Sequence, residues 1–461
     1  MIMPKFSLAD IEQALGHITV LEHGQQEFAD VITDTRKITS GALFVALKGE
    51  RFNGETFVEE AFKQGAAGVL VSNEYQANGD KLGGTIIKAD FDTQTALQKL
   101  AHFWRMKFDI PVIVITGSNG KTTTKDLTAS VLSAKLPVLK TQGNFNNEIG
   151  LPLTLLNMDE THRAAVVEIG MRGLGQIAAL APVAAPSIGI VTNVGETHME
   201  LLGSMENIAR AKAELVEAIP AGGTVILNND NEYTAAMKDK CHSGVKVITF
   251  GIDREADIKA SDVTGTATET TFKCRLGQKG EVAEFTLPMV GRHNVSNALA
   301  AIAAGWHLGL DAEAIQYGLT NLQMSSMRFE TKRMGEYNII NDAYNASPMS
   351  MEAAINTLQE IAKGRRIAVL GDMLELGDVS VAAHQKVGRQ VAHSGAVALI
   401  AYGKMGQEIA NGARMAGMEN VFHVDSHQAA ADKLHEMLQP EDTVLFKGSR
   451  GMQMEKIIEL M

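Results

Sequence analysis

Gly117-Ser118-Asn119-Gly120-Lys121-Thr122-Thr123 is the stretch of this chain whose residue types speak most directly of chemistry. It follows the apolar run 112–115 and precedes a helical pattern through Leu127 and Leu132. A buried strand, a glycine turn and a helix N-terminus together cradle phosphate. Backbone N–H groups and the helix dipole face the anion, the lysine reaches the outer phosphates, and a hydroxyl such as that of Thr122 ligates Mg²⁺. The expectation is ATP binding through residues 117–123, with Lys121 catalytic. The spacing departs from the usual phosphate loop, because Ile115 stands where the first glycine belongs. A glycine turn that merely happens to precede Lys-Thr is the plainer alternative, and it is rare at average composition.

Further strand ends supply metal-ligand types. Glu168 closes the apolar run 164–169, and His198 lies just beyond the run 188–191 and Thr192-Asn193-Val194-Gly195. A carboxylate there suits Mg²⁺, while an imidazole is a softer ligand that Mn²⁺ accepts equally well. An ion pair for Glu168 and a satisfied loop position for His198 are the structural alternatives. Lys212 is the oddest residue: Ile208, Lys212, Leu215 and Ile219 share one helical face, so a lysine stands on an apolar stripe. Either its stem packs while the ammonium reaches water, or burial depresses its pKa. In the second case the amine takes up CO₂ as a carbamate that offers oxygens to a second Mg²⁺.

Later loops add polar groups. Gly291-Arg292-His293-Asn294-Val295-Ser296-Asn297 precedes an Ala-rich helix, where Asn294 either reads an adenine edge or caps the helix. Arg328, Asn341-Asp342-Ala343-Tyr344-Asn345-Ala346-Ser347-Pro348 and Gly371-Asp372-Met373-Leu374-Glu375-Leu376-Gly377 sit near strand ends, as site residues or as solvated turns. Lys447 and Arg450 are candidates for anionic groups or for exposed ion pairs.

The elements that must position these residues alternate short apolar runs with helical stretches. Residues 1–90 read as a small α/β unit with a strand at 43–47 and a helix at 57–64. A helix at 92–107 leads into the strand 112–115. Runs at 164–169, 188–191 and 224–227 continue a parallel sheet through residue 322. The Thr-rich, alternating segment 259–287 around Gly277-Gln278-Lys279-Gly280 reads as an antiparallel hairpin insert. Residues 323–461 repeat the rhythm, with strands at 367–370, 397–401, 421–424 and 444–446. The fold class is therefore α/β in three domains, 1–90, 91–322 and 323–461, and ligands are expected at strand carboxyl ends.

At 461 residues, two or three cores are the natural expectation. A net charge of −12 without a Lys/Arg run excludes nucleic acid as an expected partner. Cys241 and Cys274 have neither disulfide nor zinc spacing, which fits a reducing cytoplasm. The first twenty residues lack a signal-peptide run, and Pro182 and Pro186 interrupt the apolar stretch 178–191, so neither export nor a membrane span is expected.

Taken together, these segments resemble the Mur ligase family over nearly the whole chain. The resemblance implies an amino-terminal UDP-substrate domain, a central ATPase domain and a carboxy-terminal Rossmann-like domain. Asp34-Thr35-Arg36 and Leu47-Lys48-Gly49-Glu50-Arg51-Phe52-Asn53-Gly54 are similar to the family's nucleotide-sugar segments, and Gln142-Gly143-Asn144-Phe145-Asn146-Asn147-Glu148-Ile149-Gly150 to its substrate loop. By resemblance Asp34, Thr35, Arg36, Lys48, Gly49, Asn53, Asn144, Asn146, Asn147, Tyr344 and Asn345 bind substrate. Asn294 meets adenine, Arg328 a phosphate and Asp342 the ribose. Thr122, Glu168, His198 and carbamylated Lys212 hold the metal, and Lys121, Lys212, Glu168 and His198 are catalytic.

The segments around Asp342 and Asp372 look most like the member that joins D-alanyl-D-alanine to UDP-N-acetylmuramoyl-tripeptide through an acyl phosphate, as a cytoplasmic monomer. Asn341 and Ser347 depart from the residues often found there, Asp and Asn. Alternatives are a related amide ligase using diaminopimelate or folylpolyglutamate chemistry, and a nucleotide-switched binding protein.

Overall fold

The structure, a computed structural model, describes residues 5–49, 52–77, 81–278, 280–325 and 327–461. Glu50 and Arg51 of the second nucleotide-sugar segment and Lys279 of the hairpin turn lie outside the described residues, as do residues 1–4. The chain divides into two compact units. One comprises Met1–Val112, Leu139–Ile169 and Ala179–Pro186; the other comprises Ile113–Val138, Gly170–Ala178 and Ser187–Met461.

In the first unit, a 5-stranded sheet runs in the order Ile18–Glu22, Thr85–Ala89, Gly68–Val71, Leu43–Val45, Val31–Ile32. Its first pairing is antiparallel and the others are parallel. Phe44, Ala46, Val69, Val71 and Ile86 alternate onto one face and pack against Val58 and Ala61 of helix Val58–Lys63. Helix Thr93–Arg105 starts where the Asp92 side chain accepts the Thr95 N–H at 2.8 Å, an N-cap that fixes its first turn. Arg105, 7 % exposed, closes the other end by donating to the carbonyls of Phe108, Ala184 and Ala185. Helix Gly150–Leu156 and strand Ala164–Glu168 belong to the same unit.

In the second unit, strands Val112–Thr116, Ile188–Val191, Thr224–Asn228 and Lys246–Gly251 lie side by side in parallel. The first three are buried along their whole length, which is why they read as unbroken apolar runs. Ile258–Gly265, Thr270–Leu276 and Val282–Leu287 extend this sheet, the last two as the expected antiparallel hairpin. A separate 6-stranded sheet has the order Glu330–Met334, Tyr337–Asp342, Thr443–Lys447, Arg366–Gly371, Ala398–Tyr402, Val421–Val424. Successive side chains part to its two faces. Ile340, Ala368, Leu370, Leu399 and Leu445 enter one core, and Ile339, Ile367, Val369, Ile400 and Val444 the other. The carboxyl ends of the parallel strands in both sheets carry the polar loops described next.

Candidate active site

The loop after Val112–Thr116 is shaped by its glycines. A Cβ on Gly117 would lie 1.9 Å from Thr192 Oγ1, and one on Gly120 would lie 2.3 Å from Asn297 Oδ1. Gly120 also adopts φ +76, a left-handed geometry that side chains disfavour. The segment after Ile188–Val191 braces this loop. Ser118 N–H donates to Asn193 O at 2.9 Å, Asn119 N–H donates to Asn193 Oδ1 at 2.9 Å, and Thr192 Oγ1 donates to Asn119 O at 2.6 Å. Gly195 N–H donates to Ser118 Oγ at 2.9 Å. Lys121, Thr122 and Thr123 form the first turn of helix Lys121–Ser133, whose N-terminus has no side-chain cap. A helix N-terminus favours an anion through its first-turn N–H groups and the helix dipole. Lys121 Nζ is folded back on Gly117 O at 2.9 Å.

Above this loop, Arg328 Nη2 donates to Thr122 Oγ1 at 3.3 Å, and its guanidinium lies 3.9 Å from the centroid of the Tyr344 ring. Arg328 Nε and Asn119 Nδ2 are buried donors with no hydrogen-bond partner among the described residues. Orphaned donors at the mouth of a phosphate loop suit an oxyanion. Next to Arg328 opens a cavity of ≈ 420 Å³ lined by Thr268, Met289, Val290, Ser325 and Phe329, of mixed polar and apolar character. Asn294 lies behind it, with Nδ2 donating to Val290 O at 2.8 Å and Oδ1 accepting from Asn297 at 3.3 Å. The helix begins at Gly291 without a side-chain cap, so Asn294 and Ser296 do not serve as its N-cap. The neighbouring His293 imidazole, beside the Phe329 ring, is pushed down to about 4 by burial.

Asp342 and Lys447 end adjacent parallel strands, and Lys447 Nζ donates to Asp342 Oδ2 at 2.5 Å and to Asn345 O at 2.9 Å. Phe329 N–H donates to Asp342 Oδ1 at 3.2 Å. Lys447 is therefore a buried pillar under the loop that holds Tyr344 and Asn345, not an exposed ion-pair residue. Arg450 is the exposed one, paired with Glu455 at 2.7 Å.

His198 stands on the loop after Ile188–Val191 at φ 55, and its Nδ1 is 2.5 Å from Glu375 Oε2. Burial lowers its pKa against the opposing pull of Glu375, and the charges of Lys212 and Lys121 lower it further. Helix Met205–Glu217, capped by Ser204, places Lys212 among Ile208, Ala211 and Leu215 with 2 % exposure. The ammonium does not escape to solvent, which removes the first of the two readings of its apolar stripe. Burial holds the Lys212 pKa well below its ordinary value, with Lys121 adding to the effect. The Lys212 side chain forms no hydrogen bond or ion pair among the described residues.

The first unit carries the remaining candidates. Asn146 Nδ2 donates to Glu168 Oε1 at 2.7 Å, and Thr141 Oγ1 accepts the Glu168 N–H at 3.1 Å. Asn147 Oδ1 accepts Gly150 N–H at 2.9 Å, starting helix Gly150–Leu156, and Asn144 is exposed in the same loop. Asp34 grips Arg36 with both oxygens, at 2.9 and 2.8 Å, caps the turn Thr35–Lys37, and has its pKa lowered to about 2 by that guanidinium. Lys48, beside Gly49, pairs with Glu74 at 2.5 Å, and Asn53 caps Gly54–Phe57.

Several residues not among the candidates take part. Asn193 and Asn297 shape the phosphate loop, and Ser347 Oγ donates to Asn119 Oδ1 at 2.8 Å. Their segments stood out in sequence, but nothing local singled out these side chains. No group of three or more His, Cys, Asp or Glu that could hold a metal occurs among the described residues, and none of their helices is long and apolar enough to cross a membrane.

Residues 27–103 match the Mur ligase family catalytic domain, 115–305 the Mur ligase middle domain, and 327–450 the Mur ligase glutamate ligase domain. The chain is 40% identical over 456 residues to the UDP-N-acetylmuramoyl-tripeptide–D-alanyl-D-alanine ligase of Bacillus subtilis, spanning 97% of this chain and 96% of that protein. It is 39% identical to the same-named enzyme of Synechocystis, over 98% and 97% of the chains. Among solved structures, MurF from Acinetobacter baumannii matches with TM-score 0.90 at 30% identity, covering 100% of this chain and 99% of that one. The MurF ligase of Thermotoga maritima in complex with ADP matches with TM-score 0.82 at 26% identity, covering 94% and 96%.

Proposed function

The chain belongs to the Mur ligase family, and on that premise we propose that it joins D-alanyl-D-alanine to UDP-N-acetylmuramoyl-tripeptide with ATP, giving the pentapeptide precursor of peptidoglycan. The observation that carries the reading is the braced phosphate loop with orphaned donors above it, in a chain 40% identical to a ligase of that name over 97% of its length. A carboxylate is a poor electrophile toward an amine in water, so it must first be activated. The tripeptide carboxylate attacks the γ-phosphorus, forming an acyl phosphate and releasing ADP. The dipeptide amine then attacks the acyl carbon, and phosphate leaves as the tetrahedral intermediate collapses. Lys121 exchanges the carbonyl of Gly117 for phosphate oxygens, and Arg328 turns its orphaned Nε to the same charge. Asn294 and the cavity beside Arg328 take the adenine edge, and Asp342, held by Lys447, takes the ribose.

By residue type, the hydroxyl of Thr122 and the buried carboxylate of Glu168 suit Mg²⁺, and the His198 imidazole suits it or Mn²⁺. Mg²⁺ is commonly bound by one or two protein groups plus phosphates and waters, so no cage of acidic residues is required. When bound, it neutralises charge developing on the transferred phosphoryl group. Lys212, buried with a depressed pKa and without a carboxylate partner, is suited to carbamylation. A carbamyl signal after exposure to ¹³C-bicarbonate, absent in Lys212→Met, is the expected result. We assign UDP-substrate binding to residues 1–90, through Asp34, Thr35, Arg36, Lys48, Gly49 and Asn53. ATP chemistry falls to 91–322, with Asn144, Asn146 and Asn147 at the substrate loop, and amine placement to 323–461 near Tyr344 and Asn345, all in the cytoplasm.

The deciding experiment measures phosphate release with Mg-ATP and the tripeptide substrate, the dipeptide, or both. Release that requires both, with the pentapeptide found by mass, is expected. Release with another amino acid as acceptor, or without any acceptor, overturns the assignment.

A further inference from the structure

His198 and Glu375 meet in an unusual way. They are 177 residues apart, on the loops after Ile188–Val191 and Arg366–Gly371, and both are non-glycine residues with left-handed backbones, at φ 55 and φ 63. Such conformations persist only where surrounding contacts impose them. Those contacts are present on the Glu375 side. Met373 N–H donates to His384 Nε2 at 2.9 Å, and Leu374 N–H donates to Ser449 Oγ at 2.9 Å. The buried His384 is itself fixed, its Nδ1 lying 2.7 Å from Ser380 O. On the far side, Glu200 N–H donates to Glu375 O at 3.2 Å, so main chain as well as side chain ties this loop to the segment following His198. Arg172 Nη2 lies 3.7 Å from the other carboxylate oxygen, Oε1.

A carboxylate facing Nδ1 of a neutral imidazole accepts a hydrogen bond from Nδ1–H, which keeps the ring proton there and leaves the lone pair on Nε2. We propose that Glu375 is a positioning residue that selects the Nδ1–H tautomer of His198, so that docking of loop 372–377 presents Nε2 as the metal-ligating nitrogen. This rests on the reading of His198 as a metal ligand. It adds that the ligand is completed by a residue of the carboxy-terminal sheet, which links metal affinity to engagement of the loop that also carries Asp372. Carboxylate partners of ligating histidines commonly change metal affinity by about 10–100-fold when removed.

The full-length protein labelled with ¹⁵N-histidine, without nucleotide, reads the tautomer directly from the ring nitrogen shifts, with the His198 signals identified by their loss in His198→Asn. Wild type is expected to show protonated Nδ1 and a lone pair on Nε2. Glu375→Gln, whose amide oxygen still accepts from Nδ1, is expected to retain that pattern, and Glu375→Leu to shift toward protonated Nε2. Mn²⁺ titration with ADP, followed by electron paramagnetic resonance, is expected to show a Kd raised about tenfold in Glu375→Leu and much less in Glu375→Gln. An unchanged Nδ1–H pattern in Glu375→Leu overturns the role of Glu375, whatever the metal does. Unaltered Mn²⁺ affinity in His198→Ala instead overturns the ligand reading on which it rests.

Discussion

Lys212→Met is expected to stabilise the protein while abolishing ligation. Lys212 is 2 % exposed, its neighbours Ile208, Ala211 and Leu215 are apolar, and it has no carboxylate partner among the described residues. An ammonium taken out of water in this way keeps an effective penalty of several kcal/mol after relaxation. Methionine matches the unbranched stem and adapts to irregular apolar space. Removing that penalty is expected to stabilise the fold by roughly 1–4 kcal/mol, the range found when buried ionic groups are replaced by well-packed apolar ones.

The pH dependence gives an independent check on the sign. In the folded chain the lysine pKa lies well below its ordinary 10.5, so between the two values the unfolded chain binds the extra proton. Wild-type stability therefore rises with pH across that window, and the advantage of Lys212→Met shrinks as pH approaches 10.5. Urea unfolding in CO₂-free buffer at several pH values, with hydrogen exchange in helix Met205–Glu217 as the local probe, measures both effects. Equal or lower stability of the variant, or a gap that does not change with pH, would refute the assignment of a buried, depressed lysine.

Other sites give sharper structural tests. Gly117→Ala places a Cβ 1.9 Å from Thr192 Oγ1, so the loop must shift, and a displacement of that size is expected to lower kcat in the phosphate-release assay about 100-fold. Lys447→Met strands the Asp342 carboxylate, whose side chain is only 15% exposed, at an expected cost of about 3–5 kcal/mol. The double variant Lys447→Met/Asp342→Leu is expected to recover most of that stability but not ATP affinity; no recovery in urea unfolding would contradict the pairing. His293, with its pKa lowered from 6.5 to about 4, is expected to favour the folded state fully above pH 6.5 and to lose that contribution as pH falls toward 4. Comparing Tm of wild type and His293→Gln across this window checks it, because the variant's profile is expected to be flatter.

Much of the fold was legible because parallel strands buried on both faces announce themselves as apolar runs. The run expected at 112–115 stands as Val112–Thr116, that at 188–191 as Ile188–Val191, and that at 224–227 as Thr224–Asn228. Boundaries moved where capping decides them. The helix expected at 92–107 is Thr93–Arg105, because Asp92 caps it and Arg105 ends it on main-chain carbonyls. The stretch 57–64 is split between Gly54–Phe57 and Val58–Lys63, because Asn53 caps a tighter turn first. The antiparallel partner Ile18–Glu22 was not expected, since its pattern of half-buried and exposed residues carries little apolar signal.

The candidate site was legible to a different degree for each kind of residue. Those that act through backbone shape or burial declare themselves locally: Gly117 and Gly120 by type, Lys212 by standing on an apolar stripe. Those that act through a distant partner do not. Asn193, Asn297, Ser347 and Glu375 gain their roles from contacts spanning 74, 173, 228 and 177 residues, and polar loop residues look alike until the sheet ends converge. Lys447 shows the converse error. In sequence it is one more charged residue after a strand, but pairing with Asp342 across adjacent parallel strands turns it into the buried support of the loop above. Adjacent parallel strands place their carboxyl ends side by side, so chemistry gathered there is necessarily non-local in sequence. A substitution scan confined to the glycine loop would therefore miss the groups that brace it, and variants at Asn193 and Asn297 are expected to impair ATP binding without touching the loop itself.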